Sequence, residues 1–203
     1  MRSRAVVIAC GAAMLAGLST AAGATTWGVP GNGSNVCSGG NPNCNTIQQA
    51  VTAAVSGDAI TVGAGTFSGA SNQGIVLTKS LTITGAGRTS TFITPSGTFA
   101  FSVRANDISI GDLTLQGGTV GVVFTNAASN NTHLTRIDFS GNTTRGIDFS
   151  LTAVTPVSSV VIDDCAFATP NTGIRMSSKS EINGLTITNS SFTGNKYGIY
   201  QAN

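Results

Sequence analysis

Asp107-Ile-Ser-Ile-Gly-Asp-Leu-Thr-Leu115, Asn131-Thr-His-Leu-Thr-Arg-Ile-Asp-Phe139, Ser159-Val-Val-Ile-Asp-Asp-Cys-Ala-Phe167 and Gly184-Leu-Thr-Ile-Thr-Asn-Ser-Ser-Phe192 align without a gap. After each comes a turn and a second apolar piece that begins with glycine: Gly121-Val-Val-Phe124, Gly146-Ile-Asp-Phe149, Gly173-Ile-Arg-Met176 and Gly198-Ile-Tyr-Gln201. The unit recurs about every 25 residues, the range of stacked repeats. Within it apolar residues alternate in short runs broken by Gly, Asn, Ser and Thr, the period-2 pattern of strands. Ile110, Leu134, Ile162 and Ile187 form one column, and Leu115, Phe139, Phe167 and Phe192 another. If each repeat is one coil, its strands stack about 4.8 Å apart and the columns become continuous inward stacks. The expectation is an all-β chain wound as a right-handed parallel β-helix. Leucine-rich repeats require leucine at most framework positions, and helical solenoids require apolar residues at i, i+3, i+4 and i+7; neither pattern occurs here.

One amphipathic helix precedes the repeats. Ile47, Ala50, Val51, Ala54 and Val55 make a single apolar stripe, Thr46 and Gln49 resemble a capping box, and Ser56-Gly57 ends it. A solenoid end exposes a core layer and unpaired strand edges, so a helix over residues 46–57 is expected as the N-terminal cap. Strands around Ile60-Thr-Val62 and Leu81-Thr-Ile83 then start the first coils. No matching cap follows Tyr200, and the expectation is either a chain truncated within a rung or a partner covering that end.

Upstream, Arg2 and Arg4, the apolar run Ala5 to Leu18 and Ala22-Gly23-Ala24 have the layout of a cleavable secretory leader, residues 1–24, with the mature chain beginning near Thr25. The run is too short to span a bilayer, and no later segment is apolar for the ~20 residues a membrane helix needs. The expected location is outside the membrane, extracellular or periplasmic. Residues 25–45 form an N-terminal segment in which Cys37 and Cys44, separated by turn-forming residues, are expected to pair in an oxidising compartment; residues 46–203 are the β-helix. No His or further Cys lies near the two cysteines to complete a metal site.

Charged residues are 9% of the chain, against roughly 25% in ordinary domains. Two of the ten basic residues fall in the leader, so the rest carries no formal net charge. No basic block exists to displace counterions from a phosphate backbone, which argues against nucleic acid as a partner.

Thr46-Ile-Gln-Gln-Ala-Val51, Gly57-Asp-Ala-Ile-Thr-Val62, Gly65-Thr-Phe67 and Leu81-Thr-Ile-Thr-Gly-Ala-Gly87 with Phe92-Ile93 resemble the opening of pectin-lyase-like right-handed β-helix proteins. Phe139 to Asn142, Phe192 to Asn195, Gly146-Ile147 and Gly198-Ile199 resemble that superfamily's repeats. The resemblance covers nearly all of the chain after the leader. It implies the fold and a polysaccharide or cell-surface glycan as partner; it implies no cofactor unless the chain is a lyase, where calcium would enter. The superfamily includes lyases, hydrolases, esterases, epimerases and surface proteins without shown catalysis. Among the polygalacturonase motifs only Asp163-Asp164 is matched, and the esterase and pectate-lyase assemblies are absent. No catalytic residue is carried over.

Adjacent on a strand, Asp163 and Asp164 should face opposite ways, the wrong geometry for a shared proton-transfer task. Asp164 shares a column with Asp112 and Asn189 at a bend, where a short polar side chain can bond turn backbone. His133 should face outward, and Cys165, in line with Leu113 and Ile137, should be a buried thiol. The outward column Val123, Asp148, Arg175 and Tyr200, with Arg145 and Lys196 at the same edge, carries the chemistry of a binding face. An aromatic ring suits a sugar, and guanidinium and ammonium groups suit a uronate carboxylate. Its plainer reading is an Asp148–Arg175 surface ion pair between adjacent rungs. Two functions are expected to compete: binding and processing of an acidic, pectin-like polysaccharide, and a non-catalytic surface or adhesion module.

Overall fold

A computed structural model describes residues 23–30, 37, 42–125, 129–151, 157–169, 171–178 and 181–202. Residues 1–22, most of the expected leader, lie outside the described residues. Every named strand pair is parallel, and the strands fall into two sheets. The first contains β1 (Thr26–Val29), β2 (Ala59–Val62), β5 (Thr82–Gly85), β8 (Ser109–Gln116), β10 (Thr132–Ser140), β12 (Val157–Asp163) and β15 (Ile182–Thr188) in spatial order. Onto these are joined β3 (Gly65–Ser68), β6 (Thr91–Thr94), β13 (Ala166–Ala168) and β16 (Ser191–Phe192). The second sheet runs β4 (Ile75–Leu77), β7 (Phe99–Val103), β9 (Val120–Phe124), β11 (Arg145–Phe149), β14 (Thr172–Met176) and β17 (Tyr197–Gln201). From β2 onward each coil gives one or two strands to the first sheet and then one to the second, while rungs stack within each, which is a parallel β-helix.

The columns read from the repeat are the observed register, and they extend further than the repeat does. Trp27, Ile60, Ile83, Ile110, Leu134, Ile162 and Ile187 stand in one line across seven rungs. Phe67, Ile93, Leu115, Phe139, Phe167 and Phe192 stand in a second. The rings of Phe139, Phe167 and Phe192 stack with centroids 4.6 and 4.7 Å apart and planes within 5°. That distance is the strand spacing itself, so the ladder enforces the stack. The glycines of the second sheet face these rings. A Cβ on Gly146 would lie 2.7 Å from the Phe167 ring and 2.8 Å from the Gly173 carbonyl oxygen, and Gly121 and Gly173 meet the same obstacle. The repeated glycine is thus a demand for space under a phenyl ring.

The first and sixth positions of the aligned segments are left-handed in all four rungs. Asp107, Asn131, Ser159 and Gly184 have φ between 55° and 83°, and Asp112, Arg136, Asp164 and Asn189 between 49° and 58°. These bends turn the chain, and Asn, Asp and Gly tolerate the conformation best. Asp164 does share its bend with Asp112 and Asn189, but the carboxylates do not bond turn backbone. Asp112 takes Arg136 Nε and Nη2 at 2.6 Å each, and Asp164 takes Arg88 Nη2 at 3.1 Å. Long arginine side chains reach across rungs more readily than the turn amides can be bent toward the acid.

The solenoid begins earlier than the sequence pattern indicates. Residues 26–29 already form β1, in register with β2, and the segment Pro42–Cys44 lies along the outer edge of β1 through Gly28 N–H to Pro42 O (2.8 Å) and Cys44 N–H to Gly28 O (2.7 Å). The Cys37–Cys44 disulfide is present, with Cys44 fully buried, and it ties this edge cover down. Replacing both cysteines with serine should cost about 2 kcal/mol, the loop-closure value for so short a ring; the urea midpoint of the two proteins under oxidising conditions measures it.

Helix α1 spans Ile47–Ala53, shorter than the 46–57 expected. Thr46 Oγ1 accepts from Gln49 N (3.2 Å), while Gln49 Oε1 takes the N–H of Asn45 (3.0 Å), one residue before the usual box partner. At the other end Lys79 Nζ donates to the carbonyls of Val51, Thr52 and Ala54 at 2.6–3.1 Å, satisfying the last turn. Ile47, Ala50, Val51 and Ala54 are buried, but Val55 lies past the helix end and is 59% exposed, so it leaves the expected stripe. The helix packs against β1, β2 and β4, and so covers the first rung where a strand of the second sheet would otherwise begin.

Candidate functional site

The outer face of the second sheet carries the residues singled out in the sequence. Register places Val123, Asp148, Arg175 and Tyr200 in one column, and Val120, Arg145, Thr172 and Tyr197 in a second, three residues earlier. Inward-facing Ile147, Phe149 and Ile174 are fully buried, so Asp148 and Arg175 beside them point away from the core, and Arg145, in contact with Asp148, lies on the same outer side.

Asp148 is not the ordinary surface partner expected. It is 3% exposed. Its Oδ2 accepts from Arg145 Nη1 (2.9 Å) and Ser150 Oγ (2.7 Å), and its Oδ1 from Arg175 Nη1 (3.1 Å). One carboxylate therefore orients two guanidinium groups from adjacent rungs. Each arginine side chain remains about a quarter exposed, 27% for Arg145 and 25% for Arg175. The cluster is a net single positive charge with its anion underneath and its cations at the surface.

One rung further, Tyr197 and Tyr200 have centroids 5.1 Å apart, and Lys196 Nζ sits 5.3 Å from the Tyr197 ring. Both tyrosines are about 40% exposed, while Ile199 between them stands in the inward column of Ile147 and Ile174. Tyr197 and Ser150 were missed in the sequence. Tyr197 could have been found: it precedes Tyr200 by the same three residues that separate Arg145 from Asp148. The structure therefore brings Arg145, Asp148 and Arg175 into direct contact and sets Lys196 and Tyr200 on the neighbouring rung.

On the first sheet a different cluster forms. Arg88 joins Asp138 Oδ1 (3.3 Å) to the Asp164 carboxylate and carbonyl (3.1 Å), spanning rungs 50 and 76 residues away in sequence. Burial works against the Arg88 charge, yet Asp138 and Asp164 outweigh it and hold its pKa above the ordinary value. Asp163 ends β12 and Asp164 lies in the left-handed bend beyond it rather than on the strand as expected; Asp163 accepts from Thr188 Oγ1 and Asn189 Nδ2, which lower its pKa. His133 lines up with Ser109 and Val161 and contacts Asn131 Oδ1 at 3.1 Å. Cys165 is buried, and burial pushes its thiol up to about 11, so it is a packing residue rather than a nucleophile. Among the described residues no three His, Cys, Asp or Glu side chains converge on a point. No helix of the described residues is long and apolar enough to cross a membrane.

Comparison with known proteins places this architecture. No curated protein sequence matches the chain. Similar solved structures include a pectin methylesterase mutant in complex with a hexasaccharide, at TM-score 0.53 and 12% identity over 88% of this chain and 66% of that one. Geobacillus virus E2 ORF18 follows at TM-score 0.54 and 18% identity, covering 87% of this chain and 41% of that one. An alginate lyase from Paenibacillus sp. str. FPU-7 aligns at TM-score 0.50 and 15% identity over 86% of this chain and 74% of that one. This chain thus spans less than two thirds of the first two proteins, and the likeness at such identities is one of backbone path. The family model for the right handed beta helix region matches residues 32–203, from ahead of the helix through the last rung. The chain belongs to the right-handed beta helix family.

Proposed function

We propose that the chain binds an acidic polysaccharide along the outer face of its second sheet. The observation that carries this reading is the Arg145–Asp148–Arg175 cluster: two arginines, each about a quarter exposed, held in fixed orientation beside an exposed tyrosine pair and a lysine. Fixed guanidinium forks suit uronate carboxylates, and the tyrosine rings suit the apolar face of a sugar. The fold is shared with a pectin methylesterase and an alginate lyase, which makes a long polymer lying across parallel rungs a reasonable occupant.

Binding is favoured over cleavage by the state of Asp148. It is the carboxylate among the named residues of this face, and arginines and Ser150 occupy both its oxygens. A proton-transfer role requires an oxygen within reach of the substrate. A secreted location, drawn from the leader-like segment and the disulfide, belongs to the same proposal.

Retention on immobilised polygalacturonate at low salt tests the proposal. Arg175→Ala combined with Tyr200→Ala should weaken it by roughly tenfold or more, the scale of one lost charge-assisted hydrogen bond and one lost ring contact. Unchanged retention would overturn it. Unsaturated products by ultraviolet absorbance and new reducing ends, assayed with and without calcium in the same samples, report any processing.

A further inference from the structure

Among the described residues, no cation contacts the buried carboxylate of Asp58. It is 2% exposed. Its Oδ1 accepts from the backbone nitrogen of Thr25 (2.8 Å), and its Oδ2 from Trp27 Nε1 (2.9 Å) and Val55 N (2.9 Å). Among the described residues the ion pairs fall on Asp112, Asp138, Asp148 and Asp164 instead. The nearest positive influence is Lys79, whose ammonium is held by three helix carbonyls, and Asp107 lines the same shallow hollow as a further negative charge. Buried charges in proteins are ordinarily paired, because hydrogen bonds alone leave much of the desolvation cost in place.

The missing partner lies in the chain itself. Thr25, whose nitrogen Asp58 already holds, is the first residue after Ala22-Gly23-Ala24, the small-residue pattern of a leader cleavage site. We propose that Asp58 is the docking site for the α-ammonium group created when the leader is removed after Ala24, so that export processing completes the first rung with a partly buried ion pair. Hydrolysis of the Ala24–Thr25 amide by an endopeptidase accepting small side chains consumes one water. Its hydroxyl joins the Ala24 carbonyl carbon and a hydrogen joins Thr25 N. The acid proton of the new carboxyl passes to the amine at neutral pH.

Little else has to change. The carbonyl of Thr25 is fixed by Ala59 N–H at 3.0 Å, and β1 follows at once in register with β2, so the nitrogen stays where it is. Gly23 and Ala24 are exposed, and their loss removes nothing from the described core. Processing converts a neutral donor at 2.8 Å into a charged one, the stronger kind of hydrogen bond. The pH signature follows. An ammonium paired in the folded state has its pKa raised above the unfolded value of roughly 7.7–8.0. The added stability is therefore complete below that range and disappears as pH rises through the folded value.

The test exports the full chain from a bacterium with an active secretion pathway and reads the product by intact mass and N-terminal sequencing. It then compares urea unfolding with that of a variant carrying Gly-Ser inserted between Ala24 and Thr25, which leaves an amide at Thr25 after processing. The expected product begins at Thr25, and at pH 6.5 it unfolds with an equilibrium constant about tenfold smaller than the insertion variant. The two should converge by pH 10, and Asp58→Asn should erase the difference at pH 6.5. A product beginning elsewhere, equal midpoints at pH 6.5, or a gap that persists at pH 10 would each overturn the assignment. The pH comparison stands even if the Asp58 variant fails to fold.

Discussion

Phe167→Ala is expected to lower the stability of the fold by about 3–5 kcal/mol. The ring is 1% exposed and lies between Phe139 and Phe192, with Gly146 against its edge. Its removal opens a space that the neighbours cannot fill. Phe139 and Phe192 are held one strand spacing away by the parallel ladder, and Gly146 has no side chain to move inward. The cavity remains, and the full transfer and cavity costs are felt. Phe192 occupies the same column but is only partly buried, so Phe192→Ala should cost clearly less. Urea unfolding followed by the fluorescence of Trp27 measures both. Equal losses at the two positions would show that the stack is not the source of the stability.

Asp58→Ala is expected to cost about 2–4 kcal/mol, since one buried and two partly buried donors lose one shared acceptor and a buried unsatisfied group alone costs roughly 1–3 kcal/mol. The donors come from three places: the start of β1 at Thr25, the Trp27 indole and Val55 just beyond α1. One carboxylate therefore fastens the first strand to the helix and to the turn before β2. Its titration gives a second reading of the same contact. Burial pushes the Asp58 carboxyl upward, but the hydrogen bonds from Val55, Trp27 and Thr25, helped by the charge of Lys79, outweigh it and hold the pKa below the ordinary value. A depressed carboxylate contributes stability that is complete above the unfolded pKa of roughly 3.9 and is lost as pH falls through the folded value. Unfolding midpoints from pH 7 downward should therefore fall more steeply for the native chain than for Asp58→Ala in the acid range. Parallel curves would remove Asp58 from the account.

Much of the architecture is written locally. Alternation at period 2, with turns recurring in step, defines columns, and parallel stacking then puts like positions in contact; Ile110 to Ile187 and Leu115 to Phe192 could be aligned before any coordinate was known. The glycines and left-handed bends reinforce the same register. The early rungs were harder to see because a helix and a disulfide-bonded segment separate β1 from β2, so Trp27 and Ile60 share a column without sharing a repeat length.

Strand period, inward columns, the helix, the cysteine pair and the outward placement of Asp148, Arg175 and Tyr200 were legible in the linear pattern, because each depends on neighbours along the chain or on one fixed repeat. Which polar side chains meet emerged only in the folded arrangement. Arg88 reaches Asp138 and Asp164, Asp148 takes Arg145 as well as Arg175, and Asp58 gathers Thr25, Trp27 and Val55. Such contacts rest on how far a long side chain extends across rungs, and on where an irregular turn returns the chain. Neither quantity has a period, so neither leaves a pattern in the sequence.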